Sequence, residues 1–582
     1  MSMSVTPSIR LMRVASGAES ADLVLRNARV VNVFSGEIYP SDVAIADGRV
    51  AAIGAGYAAR EERDLGERYL APGLIDGHMH LESTMMTLGQ LARAIVPHGT
   101  TTVMLDPHEF ANVLGLDGIR YVLDAARDVP LNAHVMLSSC VPASPLESPR
   151  RPLRADDLLP LLDHPGVRGL AEMMDVPGVL RADPDVLAKI DAARRRGLVV
   201  DGHAPFVHGR ALNTYVAAGI QSDHESTTVE EAREKLRLGL WLMVRDGSTT
   251  RNLDTLLPLL AELRPPRALF VTDDRDPVDL TVRGHVDAMV RRALDYGLDP
   301  IETLRLASYN AAQYFGLPDC GAIAPGYKAD LLVVGDLRAF TVDAVYKDGL
   351  LVAKGGKPLF EAAAPGPGAL AGMTGTIHSA PVTLEDLRLP GHSGPALVVG
   401  VEVGQATTRR LVEEVTARDR GHGGELVAEP GRDLLKLAVV ERHNRSGRVG
   451  LGLVKGFGLR RGAIASSVAH DAHNLVVAGA SDEDILAAVV ALREMGGGFA
   501  VVVDGRTLAT VALPIAGLVS PLPVEELAAQ LDEVDRAAAA LGCTLEHPFM
   551  TLSFLSLSVI PELKLTDRGL VDVAAARLVP LQ

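Results

Sequence analysis

The chain has 582 residues, 47% of them apolar and 22% charged, a balance that excludes disordered and fibrous proteins. Lysine and arginine number 57 against 73 aspartates and glutamates, and the net charge of −16 argues against a nucleic-acid partner, because phosphate binding calls for a basic surface. Three cysteines (Cys140, Cys320 and Cys543) are too few and too scattered for a disulfide framework, and a cytoplasmic protein is expected.

The N-terminal stretch MSMSVTPSIRLMRVASGAES lacks the apolar segment of a secretory signal. No apolar run reaches the roughly 18–20 residues that span a bilayer, so no membrane partner is expected. Residues 21–70 read as short strands, LVLRNARVVNV and DVAIADGRVAAIG among them, separated by Gly and Asp turns. A second strand-rich piece, beginning GAIAPGYKADLLVV, occupies 321–357. Between the two lie about 250 residues, the usual length of a (β/α)8 barrel.

Within that stretch eight strand-like runs occur in order, each followed by a turn-rich or helical segment. They are APGLIDGHMH (71–80), TTVML (101–105), NAHVMLSSC (132–140), VRGLAEMM (167–174), LVVDGHA (198–204), IQSDHES (220–226), LWLMVR (240–245) and ALFVTDD (268–274). Chemically interesting residues fall repeatedly at their C-terminal ends, the face on which barrel active sites sit. His78 and His80 stand two apart in a strand and so project to one side, a natural pair for a metal ion. Glu172, a potential bridge between two ions, ends the fourth strand; His203 and His224 end the fifth and sixth. Asp273 ends the eighth and suits a metal ligand that also holds the proton of activated water; Asp274 competes for that place.

Taken singly, each has an ordinary reading as a surface, loop or hydrogen-bonded core residue. Together they are four imidazoles and two carboxylates at five strand ends. That donor set suits Zn, Fe or Mn and points to a metal-dependent hydrolase.

A Gly/Pro/Ala linker, AAAPGPGALAG (362–372), closes this unit, and residues 373–582 carry mixed strand and helix signals. There VTLEDLRL, ILAAVVALREMGG and VEELAAQLDEVDRAAAALG stand out. GHGGE (421–425) reads as a loop. The segment around His470-Asp471-Ala472-His473-Asn474 follows a Gly-rich stretch that lacks the phosphate-loop pattern. It is read as part of a lid or wall over the barrel mouth. FMTLSFLSLSVIP (549–561) is read as core or subunit interface.

PGLIDGHMH, the strand-end His203 and His224, Asp273 and GAIAPGYKADLLVV resemble the amidohydrolase superfamily. Within it the chain most resembles the adenine deaminase family, through GHMHLESTMM (77–86), GTTTVMLDPHEFANVLG (99–115), EMMD (172–175), SDHEST (222–227), TDDRDP (272–277), GFGLRRGAIASSVAHDAHN (456–474) and PFMTLSFLSLSVIPELKLTDRGLVD (548–572). The resemblance covers nearly the whole chain.

It implies an α/β fold: a metal-dependent (β/α)8 TIM barrel (71–320), a small β-sandwich formed by flanking segments 1–70 and 321–361, and a C-terminal α+β domain (373–582). It implies hydrolysis of adenine to hypoxanthine and ammonia by a metal-bound hydroxide, in purine salvage. The cofactor would be a binuclear divalent centre of Mn2+ or Fe2+, with Zn2+ as a further choice, held by His78, His80, Glu172, His203, His224 and Asp273. Glu172 stands where related enzymes commonly use a lysine. A homo-oligomer, read as a dimer, is expected.

An acid near adenine N1 would make the ring more electrophilic. Glu82 is placed first for this role, and Asp273 as the catalytic proton acceptor. Glu109 and Glu225 also qualify for the N1 role, and Glu109, His108 and Glu225 are candidate substrate-binding groups, His108 alternatively supporting a neighbouring ligand. Their alternative readings are a helix cap for Glu82, an arginine pair for Glu109 and an orienting contact to His224 for Glu225. Another amidohydrolase acting on a related cyclic C–N bond, or a scaffold that has lost its metals, are the competing functions.

Overall fold

The computed structural model describes residues 8–362, 365, 366, 368, 370–419 and 424–582. Residues 1–7, part of the 362–372 linker and residues 421–423 of GHGGE lie outside the described residues.

The chain enters through strands whose inward side chains are apolar and whose turns are Gly- or Asp-based. Ala21–Asn32, Glu37–Ala46, Arg49–Ile53 and Tyr69–Pro72 join Leu331–Val334, Val342–Lys347, Leu350–Lys354 and Lys357–Pro358 in one nine-stranded sheet, with Ala59–Asp64 paired to the first strand. The segments before and after the barrel meet where Leu70 opposes Val333 and Pro72 opposes Leu331, antiparallel. Leu23, Leu25, Val30, Val43, Leu331 and Val333 share one buried cluster, so the two segments need each other's apolar faces.

Eight parallel strands follow: β1 (Leu74–Met79), β2 (Thr100–Leu105), β3 (Asn132–Leu137), β4 (Val167–Met173), β5 (Val199–Gly202), β6 (Ser222–Asp223), β7 (Trp241–Arg245) and β8 (Ala268–Val271). β1 to β5 form one run of ladders and β6 to β8 another. The runs join where Gln221 N–H donates to Val200 O at 2.9 Å. They close where Asp273 N–H donates to His78 O at 2.9 Å, in a single bridge between Met79 and Asp273. Ile75, Met104, Met136, Met243, Leu269 and Val271 fill the barrel interior with Tyr314 and Phe315, so the barrel is a packed core rather than a pore. Several expected strands are trimmed at their C-terminal ends. β6 keeps only two residues, because beyond it Glu225 N–H turns to the Asp223 carboxylate (3.1 Å) instead of continuing the ladder.

A β-bulge sets the aim of the first strand. Between Asp76 and Met79, β1 spends one residue more than β2 spends between Val103 and Leu105. Gly77 makes this possible: a Cβ there would lie 2.2 Å from Leu269 Cδ1. The interior phase therefore passes from Ile75 to the pair His78 and His80.

The C-terminal part is an eight-stranded mixed sheet in the order Thr408–Val415, Gly394–Val401, Val449–Lys455, Leu434–Val440, Leu475–Gly479, Ala463–Ser466, Gly498–Val503, Arg506–Ala512. Helix α1 (Asp482–Met495), N-capped by Ser481, lays Ile485, Ala488, Val489 and Leu492 on that sheet. VTLEDLRL yields a 3-10 turn at Glu385–Leu387, where the Asp386 carboxylate takes both Thr383 N–H and its hydroxyl, and then the start of the short strand Leu389–Pro390. The loop between Ala463–Ser466 and Leu475–Gly479, carrying His470 to Asn474, reaches the barrel mouth beside helix α2 (Pro548–Phe554); His470 stacks on Phe554 at 4.7 Å. No helix among the described residues is long and apolar enough to cross a membrane.

Candidate metal centre

The strand ends bring six side chains together. Glu172, the penultimate residue of β4, lies between the imidazoles: Oε1 is 3.3 Å from His80 Nε2 and 3.7 Å from His78 Nε2. Its Oε2 is 2.6 Å from His203 Nδ1 and 3.3 Å from His224 Nε2. Asp273 faces the same group, with Oδ1 3.0 Å from His80 Nε2 and 3.8 Å from His78 Nε2, and Oδ2 3.6 Å from His224 Nε2. It holds a left-handed backbone conformation (φ 60°), which carries the chain past β8 and turns the carboxylate inward. All six side chains are buried.

These residues fit a metal pair. Among the described residues, His78 Nδ1 and Nε2, His203 Nε2 and His224 Nδ1 find no hydrogen-bond partner. A neutral imidazole carries one lone pair and one N–H, and a buried ring with neither engaged is costly unless a cation takes the lone pair. Potential ligand atoms form overlapping sets, His78–His224–Asp273 and Glu172–His203–His224, and Glu172 offers an oxygen in each direction. His80 Nδ1–H donates to the Asp106 carbonyl (3.0 Å), which leaves Nε2 turned to the carboxylates.

Three residues that sequence reasoning passed over hold this arrangement. Arg245, the last residue of β7, sends Nε to Asp273 Oδ2 and Nη2 to Asp274 Oδ2, both at 2.9 Å, and Nη1 to Glu225. A charged residue ending the apolar run LWLMV was the one available signal. Lys235 ties the loop after β5 to the end of β6, donating to Ala204 O at 2.8 Å and Asp223 Oδ2 at 2.7 Å. Asp106 accepts the His108 backbone N–H (3.1 Å) and lies 3.0 Å from His108 Nδ1.

The other candidates take distinct places. Glu225 Oε1 is 3.3 Å from His224 Nε2 and pairs with Arg245. His108 stands 4.7 Å from the His80 ring, edge to face. Glu82 is fully buried; its Oε1 accepts Phe110 N–H at 2.7 Å and its Oε2 has no hydrogen-bond partner among the described residues. Burial and the neighbouring Glu109 charge push Glu82 up to about 8. Glu109 is pushed the other way: burial opposes its ionisation, but His470 and His473 hold it at about 2. Its partners come from the C-terminal loop, His470 Nδ1 at 3.2 Å and His473 Nε2 at 3.5 Å. Since His473 Nδ1 accepts Ala469 N–H (3.0 Å), its proton is on Nε2, and it faces Glu109 as a donor rather than as a metal ligand.

The cavity over the cluster is lined by His80, His108, Glu172, His203, His224 and Asp273 below. Above stand His470 and Asp471 of the C-terminal loop with Phe554, Leu557 and Ile560. The apolar segment read as core or interface thus supplies a wall of the site. Glu82 and Glu109 stand behind this lining.

The amidohydrolase family model matches residues 69–352, and the model of the adenine deaminase C-terminal domain matches residues 405–577. A protein of Dehalococcoides mccartyi named adenine deaminase is 48% identical over 571 residues, which is 98% of each chain. One of Carboxydothermus hydrogenoformans named adenine deaminase 2 is 48% identical over 572 residues, 98% of this chain and 99% of that one. Among solved structures, L-hydantoinase (dihydropyrimidinase) from Arthrobacter aurescens is 17% identical, with a TM-score of 0.46 over 59% of this chain and 98% of its own.

Proposed function

The chain belongs to the adenine deaminase family of amidohydrolases, and on that premise we propose that it hydrolyses adenine to hypoxanthine and ammonia, a step of purine salvage. One observation carries this: the likeness to proteins of that name runs through 98% of the chain at 48% identity and includes the C-terminal part as well as the barrel.

In this reading His78, His80, Glu172, His203, His224 and Asp273 hold two divalent cations, Mn2+ or Fe2+ by choice and Zn2+ as a further fit to the same donors. Bound there, the cations supply Lewis acidity that brings the pKa of water down to about 7. Asp273 accepts the proton of the attacking water and passes it toward the departing amine. Arg245 fixes the orientation of that carboxylate, with Nε 2.9 Å from Oδ2. Glu82, two residues past His80 and with one oxygen unpartnered, is the acid assigned first to N1, and Glu225, which lines the cavity itself, is its rival. A proton held there draws electron density from C6 as the carbon becomes tetrahedral. Glu225 and His108 flank the space where the ring enters, and Glu109 anchors the C-terminal loop over it. The labour divides among a sandwich (1–70 with 321–361), the barrel (71–320) and a covering unit (373–582). The three cysteines, unpaired and buried, support a reducing, cytoplasmic setting.

The test is to load the protein with Mn2+, offer a panel of purines and pyrimidines, and measure ammonia. Release from adenine with matching hypoxanthine is expected. Release from a different ring alone would move the activity to another cyclic C–N bond.

A further inference from the structure

One acceptor in the cavity has nothing to accept. Asp471 is 2% exposed, comes from the C-terminal loop and lines the space over the metal cluster. Its Oδ1 lies 3.4 Å from His108 Nε2 without a hydrogen bond between them, and its Oδ2 has no hydrogen-bond partner among the described residues. A buried carboxylate oxygen left unpaired is costly. The loop is not free to swing it out to water. His470 Nδ1 is held 3.2 Å from Glu109 Oε1, Ala472 N–H donates to Glu147 Oε2 at 3.4 Å, and Asn474 Nδ2–H donates to Ser148 O at 3.2 Å. A hydrogen-bond donor that arrives with the ligand would supply the missing partner.

Adenine offers two kinds of N–H: the exocyclic amine and the single N–H of its five-membered ring. The amine is the leaving group and belongs at the metal end. The ring N–H remains, and hypoxanthine keeps it. The spacing agrees. The His108 ring is 4.7 Å from that of His80, and Asp471 lies one contact further out. The carboxylate thus stands an imidazole's breadth beyond the metal ligands, where the second ring of a fused bicyclic base falls.

We propose that Asp471 binds the substrate: Oδ2 accepts the five-ring N–H of the purine, while Oδ1 faces the His108 ring. The C-terminal part thereby makes the barrel select the free base over an N9-substituted nucleoside. This rests on adenine being the substrate. An N9 substituent removes the donor and thrusts bulk toward Asp471 and the Phe554–Leu557 wall.

The test is calorimetric binding of hypoxanthine and 9-methylhypoxanthine to Mn-loaded enzyme, wild type, Asp471→Ala and Asp471→Asn, with metal content and unfolding measured alongside. In wild type the methyl compound is expected to bind roughly 10- to 100-fold more weakly, the worth of a hydrogen bond to a charged group. In Asp471→Ala the two affinities converge, because only hypoxanthine loses. In Asp471→Asn, which keeps an acceptor and loses the charge, the ratio falls between. A wild-type ratio near one overturns the proposal, and so does a ratio that survives in Asp471→Ala while both affinities drop together. Should the alanine variant fail to fold, an asparagine ratio equal to that of wild type overturns it. The substrate reading is judged separately, by ammonia release from adenine, so its failure is not confused with this one.

Discussion

Asp273 touches two imidazoles within 3.6 Å and one guanidinium at 2.9 Å, and that position defines what its loss should do. Asp273→Asn keeps the shape and removes the proton acceptor, so kcat should fall by about 10²–10⁴ with the fold intact by circular dichroism. Wild-type rates would move the role to Asp274. Glu82→Gln should lower kcat more than it changes KM, since a proton on N1 matters most at the transition state; a change in KM alone would make Glu82 a binding group. At this scale the convergence of these imidazoles and carboxylates was legible because H-x-H obeys the two-residue period of a strand and because imidazoles recurred at strand ends. Arg245 was not, since a lone arginine after an apolar run looks the same whether it faces solvent or three carboxylates. Asp471 was visible as part of a segment read as a lid or wall over the barrel mouth, but nothing in the residue order says that it meets His108 there.

The bulge in β1 is the element on which the site turns. Gly77→Ala would place a methyl group 2.2 Å from Leu269 Cδ1, so the strand must shift or the bulge flatten. A loss of about 1–3 kcal/mol is expected in denaturant unfolding. Metal affinity should weaken in step, because His78 sits next in the chain; unchanged affinity would show that the bulge does not aim the ligands. The alternation of apolar runs and helical patterns made all eight strands readable in order. Their ends were less so: whether β6 runs on through His224 depends on side-chain hydrogen bonds such as that from Glu225 N–H to Asp223, which periodicity does not report. Helix α2 was ambiguous for a related reason, since an apolar face looks alike whether it meets a core or a substrate cavity.

On the scale of the whole molecule, barrel and C-terminal sheet are joined through buried polar groups whose ionisation is coupled to folding. Glu147 accepts from Ser558 and Ala472, and burial with the nearby Asp471 charge pushes it up to about 8. Its contribution to stability is full below the ordinary carboxylate pKa and is lost as pH rises through about 8. Glu147→Gln should therefore gain on wild type in melting temperature between pH 6 and pH 9 by a few degrees; a constant gap would mean that Glu147 does not titrate with folding. The closure of the barrel has a different consequence. The first and last strands meet in a lone bridge in which Asp273 N–H binds the carbonyl of His78, and both residues are among the proposed cation ligands. Each ion seated there would rivet the cylinder along this seam. Stripping the ions with a chelator should accelerate deuterium uptake at 76–80 and 271–275 ahead of the remaining staves, and uniform loosening would show that the joint holds unaided.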